Sequence, residues 1–126
     1  MILAVVEDLI FLSKIQQSAK LAGVLVEPVD PGKVEERAMQ VPVRAVILDL
    51  NHRSGSSVEV LRAIKANHAT NHLPVLGFLS HVHTELAAAA HAAGCDLVLA
   101  RSAFSQQLPK LLEKLSAIET AASPGP

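Results

Sequence analysis

The sequence predicts an α/β domain built on one parallel sheet, and three observations carry that expectation. Five short runs rich in Val, Ile and Leu recur along the chain, separated by segments with helical spacing. The runs lack polar alternation, which is how strands covered on both faces look. Strand–helix alternation repeated five times then calls for right-handed crossovers that lay helices against the sheet. The 126 residues suit one domain with one hydrophobic core.

Each element has its own justification. Residues 2–6 form the first run, and the segment after it places Leu12, Ile15, Ala19 and Ala22 on one helical face. Lys14, Gln17 and Lys20 lie off that face, and Gly23 stops the helix as a C′ glycine. The second run, 24–26, is brief. Glu27-Pro28 ends it because proline donates nothing to a ladder, and Asp30-Pro31-Gly32 signals a turn. A short, weakly patterned helix is expected over 34–39. The third run, Ala45-Val46-Ile47-Leu48, ends in Asp49, and a polar loop follows over 51–57. The next helix sets Val58, Leu61 and Ile64 inward, with Glu59, Arg62 and Lys65 toward water. The fourth run opens at Leu73-Pro74 and closes at Ser80. A mostly alanine helix over 84–93 follows, with Thr84 as its N-cap and Gly94 as its C′ stop. The fifth run is 97–100, and a last helix carries Leu108, Leu111, Leu112, Leu115 and Ile118 as one stripe. The domain is expected over 1–120, with 121–126 a flexible tail of small or helix-breaking residues.

Composition excludes several classes. A net charge of −1 argues against nucleic acid, which attracts clustered Lys and Arg. With 2% aromatic residues, no Trp and no Tyr, stacking platforms for bases are scarce. No stretch of 18 apolar residues runs uninterrupted by charge, so no membrane span is expected. The start of the chain lacks a basic region ahead of its apolar run, so no secretory signal is expected. A single cysteine, Cys95, makes no internal disulfide and suits a reducing, cytoplasmic setting. In a turn between Gly94 and Asp96 it reads as a small, partly buried residue rather than a nucleophile.

Carboxylates carry the chemistry. Glu7-Asp8 follows the first run and Asp49 ends the third, so an alternating βα chain brings all three to one sheet edge with Ser80. Together they repel one another unless a cation or an acceptor role offsets the repulsion. The plainer reading is that such acids cap helix N-termini, which accounts for one or two of them but less readily for three. Histidines 52, 81 and 83 could face the same edge, yet they lack the longer-range spacing of zinc sites. Solvated or helix-capping roles are the better reading for them. His68, His72 and His91 read as helix-end or surface residues.

At this point the chain resembles the receiver domain of two-component response regulators, over roughly residues 1 to 118. The resemblance rests on Val5-Val6-Glu7-Asp8, on Ile47-Leu48-Asp49-Leu50-Asn51, on Leu73-Pro74-Val75 with Ser80 closing the strand, and on Ala92-Ala93-Gly94-Cys95-Asp96. It implies a doubly wound, flavodoxin-like (βα)5 domain of strand order 2-1-3-4-5. It also implies that Asp49 accepts a phosphoryl group from a sensor histidine kinase or phosphotransfer protein. Mg²⁺ would be held by Asp8, Asp49 and the Asn51 backbone carbonyl, with Glu7 acting through water, and Ser80 would hydrogen-bond the phosphoryl oxygens. A hard cation wants oxygen ligands and neutralises charge during phosphoryl transfer.

The chain departs from that pattern at several positions. Arg101 replaces the family's lysine, and a fixed, wide guanidinium could clamp Asp49 or Glu7 bidentately. Ser102 stands where proline is usual, Val98 replaces the aromatic switch residue, and the loop Asn51-His52-Arg53-Ser54-Gly55-Ser56-Ser57 lacks the usual proline and later glycine. The leading expectation is a stand-alone receiver, not itself an enzyme, that relays signals by protein contact to a downstream target. The alternative is a pseudo-receiver, a phosphorylation-independent binding module whose acidic site Arg101 locks. A flavodoxin-like ligand binder is disfavoured, since Leu9-Ile10-Phe11 follows the acidic pair where a phosphate-cradling loop would be needed. The small-residue face of the alanine-rich helix suggests a homodimer, which hydrodynamic size at two concentrations would test.

Overall fold

The computed structural model describes residues 1–80 and 83–122, and side chains as far as 115. The chain runs β1 (Ile2–Val5), α1 (Leu9–Leu21), β2 (Val26–Pro28), a 3-10 turn (Pro31–Lys33), α2 (Val34–Gln40), β3 (Ala45–Asp49) and α3 (Ser57–Ala66). It continues through β4 (Val75–Leu79), α4 (Thr84–Ala92), β5 (Leu97–Ala100) and α5 (Arg101–Ala122). All strand pairings are parallel and the order is β2-β1-β3-β4-β5, as the resemblance implies.

Period-two geometry explains the unbroken apolar runs. Ile2 and Ala4, Ala45 and Ile47, Leu76 and Phe78 face α1 and α5, whereas Leu3 and Val5, Val46 and Leu48, and Val75 face the opposite layer. The sheet therefore divides the interior into two apolar layers rather than the one core expected. One layer holds Phe11, Phe78 and Phe104, the chain's three aromatic residues. The other is aliphatic, built with Val34, Val60, Leu61, Ile64 and Ala90.

Several local expectations are corrected. The second strand lies at Val26–Pro28 rather than over 24–26, and Pro28, its last residue, pairs with Ala4 on an edge strand where a missing N–H costs no ladder bond. The cap of α4 is His83, whose Nδ1 accepts the Leu86 N–H at 3.0 Å, and Thr84 is the first helical residue. In α3, Val60 is buried while Val58 is only half-buried. The last helix begins directly at Arg101 and continues to Ala122, so the expected tail is helical over its first two residues; 123–126 lie outside the described residues. The Ile118 side chain also lies outside them. Gly23 and Gly94 end their helices at φ of 75° and 98°, as C′ glycines do. Cys95 is buried, and burial pushes its thiol pKa up, in keeping with a packing role. Among the described residues no helix is long and apolar enough to cross a membrane.

Candidate functional site

Four connections meet at the carboxyl edge of the sheet. β1 leads to Glu7 and Asp8, β3 ends in Asp49, β4 precedes Ser80 and β5 precedes Arg101. Register keeps them level: Val5 pairs with Leu48, Asp49 with Phe78, and Leu79 with Ala100. As a result Glu7, Asp8, Asp49, Asn51, Ser80 and Arg101 line one polar cleft of about 540 Å³. Arg53, which the sequence did not single out, lines it too.

Asp49 is the one charged side chain buried among the described residues, at 6% exposure. Its Oδ1 accepts the Asn51 N–H at 2.9 Å, and its backbone carbonyl accepts the Ser57 hydroxyl at 2.7 Å. Burial is the main influence on its carboxyl and pushes the pKa up, with the Glu7 charge adding to the rise. The Asn51 N–H, His52 and Arg101 pull less strongly the other way. A buried carboxylate without compensating charge costs stability, so packing does not account for it.

Asp8 sits differently. It is the N-cap of α1: its Oδ1 accepts the backbone N–H groups of Ile10 and Phe11 at 3.0 and 3.1 Å. Its Oδ2 accepts Arg101 Nη2 at 2.8 Å. The Phe11 N–H, followed by Arg101, holds the Asp8 carboxyl below the usual range. The capping reading is therefore right for Asp8, but it omits the ion pair. Glu7 is taken up elsewhere, with Oε1 accepting the Arg53 N–H at 2.7 Å and Oε2 3.9 Å from the exposed Arg53 guanidinium.

Arg101 does not clamp Asp49 or Glu7 bidentately, as the sequence suggested it could. α5 packs beside α1, which brings the first residue of α5 to Asp8. The guanidinium also lies 4.2 Å from the centroid of the Phe11 ring, a cation–π contact that fixes it from below. Helical spacing three residues past the Asp8 cap was the sequence signal for Phe11.

Ser80 is exposed at the rim, and its N–H donates to Asn51 Oδ1 at 2.6 Å. The Asn51 side chain thus ties the loop after β3 to the end of β4, a contribution its expected carbonyl role did not include. Val98 is half-buried against the aliphatic layer. Of the three histidines, His83 caps α4, His52 Nδ1 lies 2.9 Å from Ser54 Oγ, and His81 lies outside the described residues.

The oxygens in the cleft are of the type a hard cation takes. Asp8, however, gives both its oxygens to N–H donors. Among the described residues no three His, Cys, Asp or Glu side chains gather closely enough to hold a metal ion. In this arrangement the positive charge at Asp8 is Arg101 itself, and a divalent ion would compete with it.

No family model matches the chain, and no curated protein matches it in sequence. Solved structures do match. The phosphorylated cyanobacterial phytochrome response regulator RcpA is 18% identical, with 98% of this chain and 95% of that one covered at a TM-score of 0.76. Chemotaxis response regulator CheY4 of Vibrio cholerae is 19% identical, with coverage of 90% and 96% and a TM-score of 0.76. The Mn²⁺-bound form of response regulator Rcp1 is 19% identical, with coverage of 99% and 97% and a TM-score of 0.71. At these identities the likeness is one of architecture, and the chain has the CheY-like receiver fold.

Proposed function

We propose that the protein is a receiver-type signalling domain whose Asp49 accepts a phosphoryl group, with output through protein–protein contact. The observation carrying this reading is the burial of Asp49 at the end of the central strand, facing a cleft shared with Glu7, Asp8 and Ser80. A carboxylate kept there against its desolvation cost supports a chemical role for it. In transfer, an Asp49 carboxylate oxygen bonds to phosphorus as the donor's leaving group departs, and the chain contributes position and charge. The donor would be a sensor histidine kinase or phosphotransfer protein.

Mg²⁺ would take oxygens from Asp8, Asp49 and the Asn51 carbonyl, with Glu7 through water, and would offset charge on the phosphoryl group. The Mn²⁺-bound form of Rcp1, a structure of the same fold, supports a divalent ion as a ligand of this domain. Because Arg101 holds Asp8 at 2.8 Å, Mg²⁺ binding requires that contact to open. Arg101→Lys therefore strengthens Mg²⁺ binding, read by calorimetric titration, and an unchanged affinity rejects the competition.

A second reading has its own support in the same contact. With Arg101 fixed between Asp8 and the Phe11 ring, the domain serves as a phosphorylation-independent binding module. Intact mass after incubation with Mg²⁺ and acetyl phosphate separates the two readings. Uptake of one phosphoryl group by the parent and none by Asp49→Asn supports the receiver. No uptake by the parent, with uptake restored in Arg101→Lys, makes Arg101 a lock. No uptake by either protein removes the phosphoacceptor role.

A further inference from the structure

A second and larger pocket, about 810 Å³, adjoins the acidic cleft and shares Ser80 and Arg101 with it. Its walls come from α1, the ends of β4 and β5, and the first turns of α4 and α5. Phe11, Leu79, Ala87 and Ala100 give it an apolar surface. Lys14 and Arg101 give it two cationic groups, and Ser102 and Ser105 bring hydroxyls from the first turns of α5. No Asp or Glu is among the described residues lining it, whereas the adjoining cleft contains three acids.

We infer that this pocket binds a small organic anion, a carboxylate or phosphate carried on an apolar ring. The volume falls within the range of about 300–1,000 Å³ typical of small-molecule sites, and an apolar lining with a few polar groups is their usual chemistry. Charge selects the anion: Lys14 is exposed and free to turn toward it, while Arg101 is already oriented by the Phe11 ring. The apolar wall selects the ring, since a bare ion would leave that surface wet. Alanines at 87 and 100 account for the space, because larger side chains at either position would fill it. Arg101 borders both cavities, so an anion drawing on its guanidinium weakens its hold on Asp8.

The test uses the full chain with neither Mg²⁺ nor a phosphodonor, so its result is independent of the phosphoryl reading. 2-Naphthoate, neutral 2-naphthylmethanol and inorganic phosphate are titrated separately while backbone amide shifts are followed by NMR. Naphthoate is expected to saturate, with shifts centred on Phe11, Ala87, Ala100 and Ser105, and to bind about tenfold tighter than the alcohol. Lys14→Glu, at an exposed position, should remove that preference, and Ala87→Phe should abolish binding. If Ala87→Phe does not fold, the Lys14→Glu comparison decides alone. Absence of saturation by naphthoate, equal binding of the alcohol, or saturation by phosphate alone each overturns the proposal.

Discussion

The two faces of the sheet hold its carboxyl edge by different means. On the α1/α5 face, Phe78 packs in tilted contacts at centroid distances of 4.9 Å from Phe11 and 5.2 Å from Phe104, and the Phe11 ring supports Arg101. The cationic side of the cleft is therefore anchored in aromatic packing. The opposite face is aliphatic, and the connections above it are joined by hydrogen bonds: the Ser57 hydroxyl to the Asp49 backbone carbonyl, the Asn51 N–H to Asp49 Oδ1, and the Ser80 N–H to Asn51 Oδ1. Packed rings resist displacement through many simultaneous contacts, whereas single hydrogen bonds exchange with water at little net cost. Arg101 is thus held by packing against a ring, whereas Asn51 and Ser80 are held through hydrogen bonds.

The sharpest way to break this contrast is Phe78→Ala. It removes the central ring of the aromatic layer and should cost about 4 kcal/mol in denaturant unfolding. A loss below about 1 kcal/mol would show that the aromatic layer is no stiffer than the aliphatic one.

The aliphatic face is tested at Gly77. A Cβ there would lie 3.0 Å from both Cys95 Sγ and Leu50 Cδ1. Gly77→Ala should cost about 2 kcal/mol through overpacking. Pairing it with Cys95→Ala should recover part of the loss, and strict additivity in the double mutant would reject the steric cause.

Asp49 lies between the two regimes. Its folded-state pKa is raised, so the charged form is disfavoured on folding and the penalty applies above that pKa. Asp49→Asn should therefore raise stability at neutral pH by about 1 kcal/mol. The gain should shrink as pH falls through the raised folded value and vanish below the ordinary aspartate value. A gain independent of pH would assign the effect to something other than charge.

The smallest effect is expected at Asp8, whose carboxyl is depressed by the Phe11 N–H and Arg101. The sign is opposite: its contribution is present above the unfolded pKa and is lost as pH falls through the folded one. Asp8→Ala should lower Tm at neutral pH by less than Phe78→Ala does, with the difference from the parent closing in acid. Thermal unfolding across pH checks this, and a difference that persists below the folded value removes the electrostatic account.

Strands and helices were largely legible in the residues. Unbroken Val/Ile/Leu runs specify buried parallel strands, and Gly23 and Gly94 mark helix ends because only glycine adopts their positive φ without strain. The gathering of Glu7, Asp8, Asp49 and Ser80 at one edge was also legible, since each follows a strand in the same direction. Errors arose where a neighbour in space decided the outcome. The second strand runs two residues past its apolar run, because edge position makes the missing N–H of Pro28, its last residue, harmless. His83 displaced Thr84 as a cap because its ring nitrogen reaches the Leu86 N–H, which the usual cap preferences do not anticipate.

The amino-acid order by itself determined which groups reach the carboxyl edge, because strand ends and side-chain alternation are local properties of the chain. Which acid meets which cation was a tertiary decision. Arg101 is 93 positions from Asp8, and only the packing of α5 against α1 brings their side chains together, leaving Asp49 to rely on its buried position and hydrogen bonds. Periodicity records the faces of an element, but the partner across a face is set by how the elements pack.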